Sequence, residues 1–347
     1  MLARQLPLLA TEPEPWELLD ERLRGTRFYQ ISARGVLNSP ASTHMPFWSV
    51  NPYVGCEFGC SYCYARDTHR YALERAAAAG AVPATLPLLP AAESFERNIL
   101  VKQNAAALLA HALANRTLGE SSVVIGSATD PYQPAERQFR VTRSLLQSLL
   151  PHRGLHVEII TKSTLVTRDA GLLRTLGESN DIRVHISLAT VHQRLARRLE
   201  ARTPVPAARL KALATLRQAG VIAGVLIAPI LPGITDSLED LALLFHAARD
   251  AGAAYIAGSS LRLGPAARRS FLPQLVREFP DFVSRYRAAY AHHDHAPEAY
   301  RLALKRRIET LKAEFGFEKS ADRFGPRSTM KRSDGAPSAA LQQLSLL

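Results

Sequence analysis

The sequence predicts an α/β fold in which a parallel sheet of six strands is covered by helices. Short β-branched runs alternate with longer amphipathic stretches along most of the chain, which is typical of strand–helix–strand units. A chain of 347 residues, 47% of them hydrophobic, is long enough to bury the core that such a sheet requires. All the cysteines lie in one loop after the first strand, and parallel sheets carry their chemistry on such loops.

Six runs rich in β-branched and aromatic residues are the predicted strands. They are FWSVN (47–51), VVIGS (123–127), VEIIT (157–161), RVHISL (183–188), IAGVLI (222–227) and AYIAGSS (254–260). A further run, NILVK (98–102), is predicted as a strand outside this regular series.

The segments between these strands have helical periodicity. They include RSLLQSLL, DAGLLRTL, PVPAARLKALATLRQAG and SLEDLALLFHAARDAG. Asp169 and Ser237 are the predicted N-caps, and Gly220 is a predicted helix stop. From about Gly264 the pattern stays helical, and beyond Lys319 large apolar residues become scarce.

These patterns predict four parts in the chain. Residues 1–45 form an N-terminal extension, and residues 46–263 form an incomplete (β/α)6 barrel with the cysteine loop at 52–66. Residues 264–318 form a helical C-terminal cap, and residues 319–347 form a disordered tail.

Charge and composition restrict the cellular setting and the partners. The formal net charge of +12 comes mostly from arginine, which favours a phosphate-rich partner, although solvated basic faces are also common. The apolar runs are too short and too interrupted for a membrane span or a signal peptide. Three clustered cysteines cannot build a disulfide framework, so we expect a reducing cytoplasm.

The spacing of the three cysteines indicates a metal centre. Cys56, Cys60 and Cys63 follow a predicted strand, so their thiolates are expected to converge at the mouth of the barrel. Structural zinc normally takes a fourth protein ligand, often from a second cysteine pair, which this sequence lacks. A cluster of four irons held by three cysteines leaves one iron open to another ligand. Zinc and a redox-sensing thiol cluster remain the alternatives.

The motif Cys56-x3-Cys60-x2-Cys63, with Tyr62 before the last cysteine, resembles the signature loop of the radical S-adenosylmethionine (radical SAM) enzymes. The resemblance covers roughly residues 30 to 315 and is strongest to the spore photoproduct lyase-like branch. NPYVGCEFGCSYCYARDTHRY, GSATDPYQPAE, TKSTLVTRD and APILPGITD are phrases of that group. It implies a [4Fe-4S] cluster, S-adenosylmethionine on the open iron, and a 5′-deoxyadenosyl radical made with one electron from a donor such as flavodoxin or ferredoxin.

The same resemblance implies roles for residues that follow the strands. Thr129 and Asp130 would hold the amino group of S-adenosylmethionine, and Lys162, assisted by Ser187, its carboxylate. Tyr62 and Tyr64 on the cysteine loop and Ile230 after the fifth strand are expected beside the cofactor. Structural roles are the alternatives: Asp130 also starts turns, and Lys162 and Ser187 also suit ordinary strand ends. Arg66, Asp67 and His69 either contact substrate or seat the loop, and Arg202 is a further candidate for cofactor contact.

The substrate implied by this branch is damaged DNA. The photoproduct lyases carry a hydrogen-donor cysteine where this chain has Ser127, and a serine O–H bond is too strong to replace a thiol. Tyr62 and Tyr132 are therefore candidate hydrogen donors, or the reaction differs. The alternatives are radical modification of a peptide, a tRNA or a small molecule, and a non-catalytic metal-binding scaffold for nucleic acid.

The segment Gln343 to Leu347 resembles the short peptide by which bacterial repair proteins bind the sliding clamp. Such a motif on a disordered tether would raise the local concentration of the enzyme on DNA. The alternative is that this tail has no binding function.

Overall fold

A computed structural model gives the fold of the chain. It describes residues 16–22, 25–78, 91–115 and 121–317, together with the single residues 82, 86, 89 and 118. The predicted tail and the segment Gln343 to Leu347 lie outside the described residues. The four predicted parts of the chain stay a prediction.

The main sheet contains all six predicted strands, and these six run parallel to one another. They are β4 (Trp48–Val50), β7 (Val123–Ile125), β8 (His156–Thr161), β9 (Asp181–Ser187), β10 (Ile222–Ile230) and β11 (Ile256–Ser260). The short strand β3 (Leu37–Asn38) adds to the edge beside β4 in the antiparallel direction. The order β11-β10-β9-β8-β7-β4-β3 leaves β11 and β3 at opposite edges, so the barrel is incomplete, as predicted.

A second sheet lies outside this series. Its strands are β1 (Glu17–Glu21), β2 (Arg27–Gln30), β5 (Tyr53–Val54) and β6 (Asn98–Val101), in the order β1-β2-β6-β5. The run NILVK was correctly predicted as a strand apart from the main sheet. Because β5 opens the cysteine loop and pairs with β6, the second sheet fixes the start of that loop.

The helices cover the strands in the predicted places. Those up to β11 are α1 (Pro40–Thr43), α2 (Ala65–Ala78), α3 (Ala91–Arg97), α4 (Ala105–Ala114), α5 (Glu136–Phe139), α6 (Val141–Ser148), α7 (Ala170–Gly177), α8 (Gln193–Leu199), α9 (Pro206–Gln218) and α10 (Leu238–Asp250). Beyond β11 lie α11 (Pro265–Glu278), α12 (Val283–Ala289) and α13 (Glu298–Glu314), and two 3-10 turns cover Thr164–Asp169 and Pro280–Phe282.

Two of the three predicted helix-end signals act as expected. The hydroxyl of Ser237 accepts a hydrogen bond from the Asp240 backbone N–H, 3.0 Å away, at the start of α10. Gly220 follows α9 with a φ of +83°, a conformation that favours glycine. Asp169 precedes α7 but caps nothing, because its carboxylate is taken up by Arg143 and Arg168.

The buried apolar residues of the described ranges form two large hydrophobic clusters and a small one around Phe47 and Val124. The larger lies between the main sheet and its helices and includes Val184, Val225 and Phe245. The second joins the cysteine loop to α11 and α12, with Phe58 of the loop and Phe271 of α11 among its members. Helices α11 and α12 are therefore packed against the cysteine loop, whereas the buried apolar residues of α13 belong to the larger cluster. No helix in the described ranges is long and apolar enough to span a bilayer.

Candidate cofactor site at the carboxyl ends of the strands

One cavity lies at the carboxyl ends of the parallel strands, where the topology places functional loops. The cysteine loop lines it with Cys56, Phe58, Cys60, Tyr62, Cys63 and Tyr64. The strand ends line it with Gly126, Ser127, Thr129, Asp130, Ile160, Thr161, Lys162, Ser187, Leu226, Ala228, Pro229, Ser259, Ser260, Leu261 and Arg262. The ends of five strands and the cysteine loop thus contribute to one site, although their residues are far apart in sequence.

The cysteine loop is held on both sides by backbone contacts. The Cys56 N–H donates to the Phe95 carbonyl at 2.9 Å, and Cys60 forms an isolated bridge with Glu200. Gly55 has a φ of +91°, and a Cβ on it would lie 2.8 Å from the Phe95 carbonyl oxygen, so glycine is required there. The loop conformation is therefore fixed by its neighbours.

The chemistry of the three thiols fits an iron–sulfur cluster. All three line one cavity, and burial raises the pKa of each thiol, that of Cys60 to about 12. The thiols are thus protonated in the absence of metal, and cluster assembly has to release their protons. No group of three or more His, Cys, Asp or Glu side chains in the described ranges is arranged to hold a metal ion. A cubane requires a different arrangement, because each thiolate binds its own iron.

Asp130 both builds a turn and borders the cavity. Its carboxylate accepts hydrogen bonds from the Tyr132 N–H at 2.9 Å, the Thr161 hydroxyl at 2.7 Å and the Lys162 N–H at 2.7 Å. Burial raises the pKa of Asp130, and these hydrogen bonds counteract it only in part. A carboxylate has about four acceptor positions, so Asp130 keeps capacity for one more donor. The neighbouring Thr129 hydroxyl donates to the Gly55 carbonyl at 2.6 Å, which ties the β7 loop to the cysteine loop.

Lys162 and Ser187 come together as the sequence predicts. The Lys162 Nζ donates to the Ser187 Oγ at 2.9 Å, and it lies 5.9 Å from the centroid of the Tyr62 ring. Burial lowers the pKa of Lys162, but nearby negative charge, above all that of the Glu200 carboxylate, outweighs burial and raises it above its ordinary value. The ammonium is therefore charged at neutral pH, as binding of a carboxylate requires.

A buried ionic network beneath the loop was not predicted from the sequence. The Tyr62 phenol donates to Glu200, and Arg209 of α9 donates to the same carboxylate. The side chains of Glu200 and Arg209 are each only 1% exposed. Burial raises the pKa of Glu200, but Arg209 and Lys162 outweigh it, so the carboxylate is ionised. No local motif marks this pair, because a Glu after one helix and an Arg within the next look like surface residues.

Two predicted residues do not line the cavity. Tyr132 is fully buried in the larger hydrophobic cluster, and its ring centroid lies 5.9 Å from the Arg168 guanidinium. Ile230 is also fully buried in that cluster, while Ala228 and Pro229 reach the cavity instead.

The polar residues after Cys63 hold the cysteine loop in place through hydrogen bonds. The Arg66 guanidinium donates to the Cys60 carbonyl at 2.9 Å, and the Asp67 carboxylate accepts from the Ala266 N–H at 2.8 Å. His69 Nε2 lies 3.0 Å from the Asn98 carbonyl. The Arg202 guanidinium donates to the Glu57 carbonyl and to Glu96, so it braces the loop from outside the cavity.

The end of β11 contributes residues that the sequence reasoning missed. Ser259 and Ser260 are the last two residues of β11, Arg262 follows two positions later, and all three line the cavity. The sequence did carry a signal for these residues. Site residues are expected at the carboxyl end of each parallel strand, and SSLR (259–262) stands at the carboxyl end of the last one.

Comparison with protein families and with known sequences identifies the family of this chain. The model of the Radical SAM superfamily matches residues 50–245, more than half of the chain. An uncharacterized protein of Mycobacterium tuberculosis is 34% identical over 293 residues, which cover 84% of this chain and 82% of that protein. An uncharacterized protein of Methanocaldococcus jannaschii is 27% identical over 210 residues, covering 60% of this chain and 69% of that protein.

Solved structures of spore photoproduct lyase have a similar fold. A tyrosine-to-phenylalanine variant superposes with a TM-score of 0.59 at 15% identity, covering 83% of this chain and 79% of that chain. A variant with bound AdoMet and dinucleoside spore photoproduct gives a TM-score of 0.52 at 15% identity, covering 77% and 74%. At this identity the likeness shows the fold alone.

The family match spans the cysteine loop and the ends of four further strands. Radical SAM enzymes generally use S-adenosylmethionine and an iron–sulfur cluster, and the buried thiols and the charged lysine of the cavity suit both. The chain belongs to the radical SAM superfamily, and it is a radical SAM enzyme.

Proposed function

We propose that this enzyme binds a [4Fe-4S] cluster through Cys56, Cys60 and Cys63, cleaves S-adenosylmethionine, and acts on a lesion in DNA. One observation carries the cofactor part of this proposal. The three thiols share a single cavity with an ammonium, that of Lys162, and a carboxylate, that of Asp130. S-adenosylmethionine carries the complementary carboxylate and ammonium groups.

Each residue has a defined task in this arrangement. The Lys162 ammonium, oriented by the Ser187 hydroxyl, binds the cofactor carboxylate. Asp130 accepts from the cofactor ammonium, and the short apolar side chains of Ala228 and Pro229 cover the adenine. A cluster bound to the three cysteines would supply one electron, received from the external donor, for reductive cleavage of the cofactor's sulfonium.

Two observations support DNA as the substrate class. The chain has a formal net charge of +12, and its fold resembles that of spore photoproduct lyase. The position of the lyases' donor cysteine is nevertheless occupied by Ser127, which lines the cavity and accepts a hydrogen bond from Asn51 at 3.2 Å. The lesion or the final hydrogen transfer must therefore differ from that of an enzyme with a thiol at this place.

Ser127 also favours the second candidate function, radical modification of a peptide, a tRNA or a small molecule. Of the two tyrosines considered as hydrogen donors, Tyr62 lines the cavity and Tyr132 does not. Tyr62 is therefore the donor to test if the substrate is DNA.

Anaerobic reconstitution tests the cofactor. We expect about four irons per chain, broad absorbance near 400 nm, and 5′-deoxyadenosine after reduction with dithionite, which replaces the proposed flavodoxin or ferredoxin. Changing any of the three cysteines to Ala should remove the irons. Ser61→Ala in the same loop is the matched control and should keep them, because Ser61 does not line the cavity. Uptake of one zinc and no iron would contradict the proposal.

The same assay separates the substrates. If the substrate is DNA, oligonucleotides carrying ultraviolet damage should increase cofactor cleavage over undamaged oligonucleotides. Cleavage that responds to neither oligonucleotide would support the second candidate function.

A further inference from the structure

The end of β11 places an unpaired hydroxyl in the cavity. The Ser260 side chain lines the cavity and is only 4% exposed. Within the described part of the chain, its Oγ has no hydrogen-bond partner. Buried hydroxyls are normally paired, because leaving one without a partner loses the hydrogen bonds that water would give it. The Ser260 hydroxyl is therefore suited to a partner that enters the cavity.

Arg262, two residues further on, adds a positive charge to the same side. It is half-buried and lines the cavity, and no described residue forms a salt bridge or side-chain hydrogen bond with it. The nearby carboxylates are already engaged: Asp67 caps the start of α11, and Asp294 lies 3.9 Å from Arg268. The guanidinium is close enough to the Tyr64 phenol, which also lines the cavity, to lower its pKa against the larger effect of burial.

The second cation of the cavity lies on a different strand. Lys162 follows β8, whereas Arg262 follows β11, three strands away in the sheet. Lys162 already donates a hydrogen bond to Ser187, and the Glu200 carboxylate raises its pKa. Two cations so placed are suited to two different anions, so a cofactor carboxylate at Lys162 leaves Arg262 for another group.

We propose that Ser260 and Arg262 form a subsite for a phosphodiester group of the substrate. A guanidinium offers two parallel N–H donors that match the oxygens of a phosphate, and the serine hydroxyl offers a third donor. The net charge of +12 favours phosphate as the anion. The inference rests on the proposed function, since it assumes that the substrate is nucleic acid.

The test measures binding of a substrate fragment with a single phosphate. Thymidylyl-thymidine and its uncharged methylphosphonate analogue are titrated into the reconstituted enzyme with S-adenosylmethionine present, by calorimetry. Arg262→Gln should weaken thymidylyl-thymidine at least tenfold, and Ser260→Ala should weaken it severalfold. Arg262→Gln should affect the methylphosphonate analogue much less, because that analogue has no charge for the guanidinium to pair with. Arg262→Lys should keep part of the affinity, because it keeps the charge but loses the fork.

Arg287→Gln is the matched control, since Arg287 is exposed on α12 and its loss removes the same charge. It should leave both ligands unchanged. The affinity for S-adenosylmethionine is measured for every variant and should stay within twofold. Three results would overturn the subsite. Arg262→Gln could weaken binding of both dinucleotides equally, or it could weaken binding of S-adenosylmethionine. The third is that the unchanged enzyme does not bind thymidylyl-thymidine. Failure of the proposed function has a different result: the enzyme forms no 5′-deoxyadenosine but still binds thymidylyl-thymidine more tightly than its methylphosphonate analogue.

Discussion

At the scale of single residues, Lys162 makes the clearest prediction. Lys162→Ala should leave the iron content unchanged and weaken binding of S-adenosylmethionine roughly ten- to hundredfold, because a charge-assisted hydrogen bond contributes about 1.5 to 3 kcal/mol. Equilibrium dialysis of the reconstituted enzyme measures this affinity. Lys211→Ala is the control, since Lys211 is exposed on α9 and should bind the cofactor normally. Unchanged affinity in the Lys162 variant would place the lysine outside the cofactor contacts.

The buried pair of Glu200 and Arg209 predicts a stability effect. Glu200→Gln removes one charge and leaves the Arg209 guanidinium buried without its counter-ion, which costs about 3 to 5 kcal/mol of unfolding free energy. Denaturant unfolding measures the loss. Glu74→Gln should cost less than about 0.5 kcal/mol, because the Glu74 side chain is 59% exposed and its pair with Arg70 is a surface one. A loss in Glu200→Gln no larger than this control would contradict the prediction.

Residue positions were predictable where strand ends determine them and unpredictable where the local backbone is irregular. Lys162 and Ser187 directly follow regular strands, so the topology alone brings them together. Ile230 lies beyond a shift in the register between β10 and β11, which interrupts the simple alternation of side chains. The sequence gives no sign of that shift, so the residue expected in the cavity is instead in the core.

At the scale of elements, the anchoring of α2 predicts a pH effect. His69 is fully buried, and burial lowers its pKa to about 4, so it is neutral in the folded protein. The unfolded chain, with an ordinary pKa near 6.5, binds a proton over the same range. Because the unfolded state binds more protons there, stability falls as the pH falls, by about 2 kcal/mol between pH 7 and pH 5 from this residue.

Urea unfolding at pH 7 and at pH 5 measures this effect. His69→Gln keeps an N–H donor for the Asn98 carbonyl but cannot titrate, so it should lose about 2 kcal/mol less than the unchanged protein. His111→Gln, at an exposed position of α4, should behave like the unchanged protein. Equal pH dependence in all three proteins would show that His69 does not titrate as described.

Four of the six parallel strands, β7 to β10, were predictable because each contains β-branched residues and is mostly buried. Most of the second sheet was not. Its strands β1, β2 and β5 have two to five residues each, and β2 pairs with β6 about seventy positions along the chain. Pairings of that length are set by tertiary packing rather than by local pattern, and single-sequence periodicity does not contain them.

At the scale of the whole molecule, the site is assembled from contacts that no local pattern encodes. The Tyr62 phenol and the Glu200 carboxylate are 138 positions apart, and the Asp67 carboxylate and the Ala266 N–H are 199 apart. The sequence therefore identified the chemistry through the cysteine motif, while the supporting network and the β11 residues required the fold. The structure adds the neighbours that fix the position and charge of each predicted group.

The charge of the whole molecule predicts salt-dependent binding to DNA. With a formal net charge of +12, the enzyme should release condensed counterions when it binds a duplex, so its affinity should fall as salt rises. If three phosphates are neutralised, the affinity falls about 40-fold between 50 and 200 mM salt. Fluorescence anisotropy with a labelled duplex measures this slope. Arg262→Gln should reduce the apparent number of phosphate contacts by about one, and Arg287→Gln should leave it unchanged if only the cavity side faces the DNA. An affinity independent of salt, or no binding at 50 mM, would contradict the assignment of DNA as substrate and favour a peptide or small molecule.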